Sequence, residues 1–316
     1  MNEADALANL LGRGRPAPVS EAAPAPPAAT AEPALKPAVD RRFWMLVAGG
    51  LLACAGWIMG SVALLESWVS MGRFGAGWSV GRIDVTASLI VFGGLLGVSL
   101  AMMRLMPVAV GTQRLGALPA GALGLALGVG GLMFSLLQAW LGNHVLPAPP
   151  DSAAAAALGS LLVGGALILF EAAVEEVCFR GWLQRRLTAR INPAAAVTVA
   201  AVAFSLLHVF GGARTPLSLV NIFLAGLFFG LLLLRTGSIW ASIGAHFGWN
   251  WAETSLFGLS PNPGADDFGA IIDLDLVGAH IWGGSVEGLN ASIAITVVLV
   301  ALILPLLALR PAPPPR

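Results

Sequence analysis

Residues 167–187 read LILFEAAVEEVCFRGWLQRRL, an apolar helical run interrupted by three glutamates and an arginine before it closes on two further arginines. Glu175 and Glu176 are adjacent and Arg180 follows the second by one helical turn. Each ionisable group at a bilayer centre costs about 2.5–3.5 kcal/mol on insertion scales, so such residues are rare there and usually functional. Two imidazoles occupy comparable positions downstream: His208 in AFSLLHVFG (203–211) and His246 in IGAHFGWNW (243–251), the latter one turn before Asn250.

The whole chain supports a membrane reading of that stretch. It is 57% hydrophobic and 11% charged, with a mean hydropathy of +0.83. A soluble domain carries about 25% charged residues, so this composition implies an integral membrane protein whose solvent is the lipid bilayer. The formal net charge is zero, and no basic surplus points to nucleic acid as a partner. Cys54 and Cys178 both lie in apolar runs and read as small buried hydrophobes with no disulfide framework.

A spanning helix needs about 20 predominantly apolar residues. The apolar runs predict helices near 43–65, 86–106, 117–141, 155–184, 194–211, 217–235, 238–258 and 289–309. The expected fold class is therefore all-α, a polytopic transmembrane bundle of about eight spans. The expected organisation is an Ala/Pro-rich disordered cytoplasmic tail (1–42), N-terminal transmembrane helices (43–154), a catalytic helical core (155–258), an acidic extracytoplasmic loop (259–288), and a last span with a short tail (289–316). With both termini in the cytoplasm of a multi-pass cell-membrane protein, the inward loops hold Arg41, Arg42, Arg104, Arg114, Arg180, Arg185, Arg186, Arg190, Arg235 and Arg310. The outward loops hold Arg73, Arg82 and Arg214, and the last of them collects Asp266, Asp267, Asp273, Asp275 and Glu287. That asymmetry follows the positive-inside rule.

Counting residues brings the polar groups to one depth. The fourth and fifth spans break at Arg190-Ile191-Asn192-Pro193, with Glu175 about 16 residues before the break and His208 about 15 after it. In an antiparallel pair the two then lie level, roughly 15 Å from the Arg185/Arg186 interface. His246 lies roughly 13 Å beyond the turn at Arg235-Thr236-Gly237, at a similar depth. Glu176 and Arg180 have the favourable acid-first spacing for a helical ion pair, which leaves Glu175 freer to act as a base. A carboxylate and an imidazole can polarise one water, directly or through a metal. His246 and Asn250 share a helix face and can offer hydrogen bonds to a developing oxyanion.

These residues, in this order, resemble the CPBP family of intramembrane proteases, which includes the CAAX prenyl endopeptidase and bacteriocin-processing and self-immunity relatives. Its first motif matches Glu175-Glu176-Val177-Cys178-Phe179-Arg180, its second Phe204 to His208, and its third His246 to Asn250. The run Asn221-Ile222-Phe223, Gly226, Gly230 and Thr236-Gly237-Ser238-Ile239-Trp240 is similar to the family's spacer, and the resemblance covers about 155–257. It implies an endopeptidase acting on a membrane-associated peptide or protein. Glu175 and His208 would activate the water, His246 and Asn250 would hold the oxyanion, and Glu176 and Arg180 would orient Glu175. The family has been described both as metal-dependent and as glutamate-dependent. The absence of His-Glu-x-x-His leans toward metal-free activation; a divalent metal such as zinc, if used, would draw on Glu175, His208 and His246.

Blander readings stand beside these. Glu176 and Arg180 are equally consistent with a pair that fixes helix register. Acids and histidines at mid-depth also suit a proton-coupled transporter, although no inverted repeat is visible, and a non-proteolytic membrane scaffold would keep the same helices. Glu171, one turn before Glu175, could line the same cavity but falls outside the family motif and reads as structural or peripheral, and Glu253 reads as a rim or helix-end residue. Cys178 reads as apolar filler, and His144 and His280 as outward-loop residues. Gly93/Gly97 and Gly226/Gly230 read as close-packing positions. Trp44, Trp68, Trp78, Trp140, Trp240 and Trp282 suit an interfacial belt.

Overall fold

Long apolar runs closed by capping residues give eight helices in a computed structural model that describes residues 40–107, 115–147, 158–210, 213, 215–259 and 268–309. In chain order these are α1 (Arg41–Ser70), α2 (Val80–Leu105), α3 (Ala117–Leu141), α4 (Leu158–Glu176), α5 (Pro193–His208), α6 (Pro216–Thr236), α7 (Ile239–Trp251) and α8 (Ile293–Ala308). Contacts divide the chain into 1–35 and 36–316, and every described residue belongs to the second unit. The tail 1–39 and Arg114, Arg214, Asp266, Asp267 and Arg310, all used in the charge sorting, lie outside the described residues.

The helix starts follow local chemistry. The Asn192 side chain accepts from Ala195 N at 2.8 Å with Pro193 at the first helical position, and Thr215 caps α6 in the same way ahead of Pro216. Gly237 ends α6 at φ 71°, a conformation that favours glycine. Two helices change pitch where no sequence signal announced it. After Glu176, α4 continues as a π-helix over Val177–Gln184 and then as α-helix over Arg185–Thr188. After Trp251, α7 continues as a π-helix over Ala252–Leu256. Wide turns of this kind are rare and often mark functional sites.

The all-α class holds, and α1, α2, α3 and α6 are each long and apolar enough to cross a bilayer. Eight spans are not established by the helix lengths. At 1.5 Å per residue, the 16 residues of α5 and of α8 extend about 24 Å, less than a typical hydrocarbon core of about 30 Å.

The most extensive helix pairing joins α3 to α7. A Cβ on Gly124 would meet the backbone of Ala241, and one on Gly128 the backbone of Ala245. This seam of small residues went unread in the sequence, and of the expected glycine pairs only one packs tightly. Gly226 sits against Ala201 of α5, and Gly230 against Gln184 and Val197, whereas Gly93 and Gly97 have nothing near them. On α2 the contact falls one residue later, at Gly94, which lies under the Trp57 ring. Cys54 and Cys178 are fully buried free thiols 3.7 Å apart, in keeping with their reading as small core residues. A short antiparallel pairing of Val145–Pro147 with Leu274–Leu276 completes the described structure outside the helices.

Candidate active site

Glu175 stands on the last turn of α4, and both imidazoles approach the same oxygen of its carboxylate. His208 Nε2 is 3.9 Å and His246 Nε2 3.8 Å from Glu175 Oε2. The depth match expected from the two helical hairpins is therefore realised in space. These separations exceed a direct hydrogen bond, yet a single water about 2.8 Å from each of two such atoms fits comfortably. Exposure falls steadily into the site, from 31% for the His208 side chain to 18% for Glu175, 7% for His246 and zero for Glu176.

Each imidazole is held by its other nitrogen. His208 Nδ1 lies 2.8 Å from the Phe204 carbonyl oxygen. A carbonyl can only accept, so Nδ1 carries the proton and, in the neutral ring, Nε2 presents a lone pair toward Glu175. The Phe204 ring also sits 4.4 Å from the His208 ring, the contact that their shared helix face implied. His246 Nδ1 lies 3.0 Å from Glu176 Oε1, and its ring stacks on Phe229 at 4.9 Å.

Glu176 is wholly buried and also receives Arg180 Nη1 at 2.9 Å. Arg180 in turn donates from Nη2 to the Gly226 carbonyl at 3.0 Å and lies over the Phe204 ring at 4.5 Å. The buried pair is thus tied to α6 and α7, and its carboxylate is bonded to His246 rather than to Glu175. That differs from the expectation that it orients the first glutamate. Adjacent residues on a helix point about 100° apart, so the two glutamates diverge, and Glu176 reaches the neighbouring helix.

Asn250 lines the same cavity as Glu175, His208 and His246, a space of about 540 Å³. Sequence reasoning left Glu171 open and misplaced Glu253. Glu171 lines this cavity, as its position one turn before Glu175 allowed, and accepts a hydrogen bond from Ser88 of α2. Glu253 is 1% exposed inside the π-turn of α7, not on a rim, because the wide turn rolls it inward. Asn221, quoted only as spacer, donates to the carbonyls of Asn290 and Ser292, each at 2.8 Å, and accepts from Thr296 at 2.6 Å. It latches the segment before α8 across the cavity.

Among the described residues, no group of three His, Cys, Asp or Glu side chains is arranged to hold a metal ion. Two ligands of a tetrahedral zinc, each about 2.0–2.1 Å from it, stand about 3.3 Å apart. Glu175 with His208 or His246 is wider than that, at 3.9 and 3.8 Å. As they stand these side chains do not fit a metal, and no step below is routed through one.

Helices, apolar spans and a buried acid–imidazole cluster describe a helical membrane protein with a polar cavity inside it. Residues 157–252 match the family model described as type II CAAX prenyl endopeptidase, Rce1-like. The match covers less than a third of the chain, and over those residues it supports a domain of the CPBP intramembrane protease type. No curated protein and no solved structure in the comparisons matches the chain.

Proposed function

We propose that the protein is an intramembrane endopeptidase that hydrolyses a peptide bond of a membrane-associated protein or peptide, with Glu175 and His208 activating the water. The observation that carries this reading is the convergence of His208 Nε2 and His246 Nε2 on Glu175 Oε2 inside one cavity. A water donating one proton to Glu175 Oε2 and the other to His208 Nε2 turns its lone pairs outward, toward a substrate carbonyl.

The balance of the reaction runs through these groups alone. The water oxygen bonds to the carbonyl carbon as Glu175 takes the water's proton. The carbonyl π-electrons move to oxygen, and that oxyanion is met by the Asn250 side-chain amide and by His246 Nε2–H in its imidazolium form. Collapse re-forms the carbonyl, breaks the C–N bond and sends the proton from Glu175 to the leaving amine, so the enzyme returns unchanged. Burial assists, because fixed dipoles act more strongly in a low-dielectric site.

The orientation that goes with this reading places both termini and Arg185, Arg186, Arg190 and Arg235 in the cytoplasm. The test of the function is cleavage of a membrane-inserted reporter peptide by purified protein in liposomes. Wild type should cut it and Glu175→Gln should not; equal cleavage by both would end the assignment.

A further inference from the structure

The turn bearing Arg185, Arg186 and Arg190 and the mouth of the cavity lie at opposite ends of the helices that carry the site. The wall of the cavity on α4 is Glu171, Ala172 and Glu175, in the half of that chain segment farthest from Arg185 and Arg186. On α5 it is Phe204 and His208, at the end remote from Pro193, and it continues through Ala213 of the following loop. On α6 it runs from Ser218 to Phe229, and on α7 from His246 to Asn250. The rest of the wall is Phe92 of α2, Val286, Glu287 and Asn290 of the segment before α8, and the first turns of α8 itself. Glu287 Oε1 accepts from Thr215 N at 2.9 Å, so the two loops meet beside the opening. Val286 there is 90% exposed.

Toward the arginines the structure is filled. Between Glu176 and Arg185, Phe179, Arg180, Trp182, Leu183 and Gln184 are each at most 2% exposed, over a distance of about 12–15 Å. Gln184 Nε2 donates to the Gly230 carbonyl at 2.8 Å, which ties α6 across that plug. Opposite them, Phe228 and Leu232 of α6 and Ala196, Val197, Ala200 and Ala201 of α5 are closed to solvent. A peptide or a water has no path through such packing on the time-average.

We propose that the site takes its substrate from the face opposite the arginine band, so that the substrates are segments presented on the extracytoplasmic side: exported peptides, or the outer juxtamembrane stretch of a membrane protein. This rests on the proteolytic reading and narrows it, since a cytosolic C-terminus cannot reach Glu175 by this opening. Charge supports the side as well as the shape. Arg104, Arg185, Arg186, Arg190 and Arg235 lie at the sealed end, while the open end holds Asp273, Asp275 and Glu287 beside only two described arginines, Arg73 and Arg82. The positive-inside rule puts the sealed end in the cytoplasm.

Sided cysteine labelling tests this without requiring activity. Wild type, with both native thiols buried, is the blank. Ala213→Cys reports the mouth, Ala225→Cys the cavity wall one turn past Asn221, and Ala189→Cys the arginine turn. A charged, membrane-impermeant thiol reagent is added to intact spheroplasts or to inside-out vesicles. Ala213→Cys and Ala225→Cys should react at least about tenfold faster from outside, and Ala189→Cys at least about tenfold faster from the cytoplasmic side, since rate follows access to the thiolate. Ile222→Cys replaces Ala225→Cys if the latter does not fold. Reaction of the cavity cysteine from the same side as Ala189→Cys, or from neither side, overturns the proposal. Two reporters, one with its scissile segment outside and one with it in the cytoplasm, then separate the two claims. Cleavage of the outer one only is expected; cleavage of the cytoplasmic one overturns the sidedness. Outward labelling with neither reporter cut leaves the opening in place and removes the protease.

Discussion

Glu176 Oε1 lies 3.0 Å from His246 Nδ1 and 2.9 Å from Arg180 Nη1, so one buried oxygen joins an ion pair to an imidazole. The bond fixes which nitrogen of His246 faces the cavity, because a carboxylate accepts and Nδ1 must then donate. Half of the acid pair thus works on the second histidine, while the other half faces the cavity. Neighbouring positions on one helix turn serve two different partners.

Glu176→Gln tests that coupling. Breaking one partner of a buried pair costs about 3–5 kcal/mol, so thermal stability in detergent should fall sharply. Activity per folded molecule should also fall, because His246 loses its anion. A variant that is destabilised yet fully active per folded molecule would confine Glu176 to a structural role.

Glu175→Gln preserves shape and hydrogen bonding but cannot accept the water's proton. Cleavage should fall by roughly 10²–10⁴-fold with the melting temperature nearly unchanged. His208→Ala should lower the rate by a similar factor. Combining the two should cost little more than either alone, since both act on one water. Additive losses would mean that the residues serve separate steps.

Chelation bears on water activation independently. With Glu175 3.8–3.9 Å from each imidazole, wider than the roughly 3.3 Å of a regular tetrahedral zinc site, cleavage by purified protein should survive a membrane-permeant chelator. Loss of activity, restored by about one equivalent of zinc per protein, would move Glu175, His208 and His246 into a metal site. Metal content by elemental analysis reads the same question without an activity assay.

The helices were legible because apolar runs of 13 to 30 residues separated by Pro and Gly leave few alternatives in a bilayer. The site was legible because intramembrane ionisable residues are few, and helical rise converts their sequence positions into depth. Direction around the helix was harder. Counting placed Glu175 and His208 level, but the partner of Glu176 depended on rotation, and the π-turn that begins at Val177 carries no residue signature. The same wide turn hid Glu253. The glycines failed for a related reason: Gly93 and Gly97 have the right spacing, and only the packing of Trp57 shows that Gly94 carries the contact.

The α3–α7 seam gives a prediction with its own control. A methyl group at Gly128 would overlap the backbone of Ala245, which cannot swing aside as a side-chain tip could. Gly128→Ala therefore has to push α7 away, and overpacking of this kind costs about 1–3 kcal/mol. His246 is the next residue along α7 after that contact, so the displacement is passed to the cavity and cleavage should drop along with thermal stability. Gly93→Ala makes the same chemical change on α2 where nothing lies within 4 Å. There alanine removes only the flexibility of glycine, and stability should stay level or rise by about 0.5–1 kcal/mol. Melting curves of the two variants in one detergent check this directly. Equal melting temperatures would show that α3 and α7 do not pack through backbone contact at Gly128.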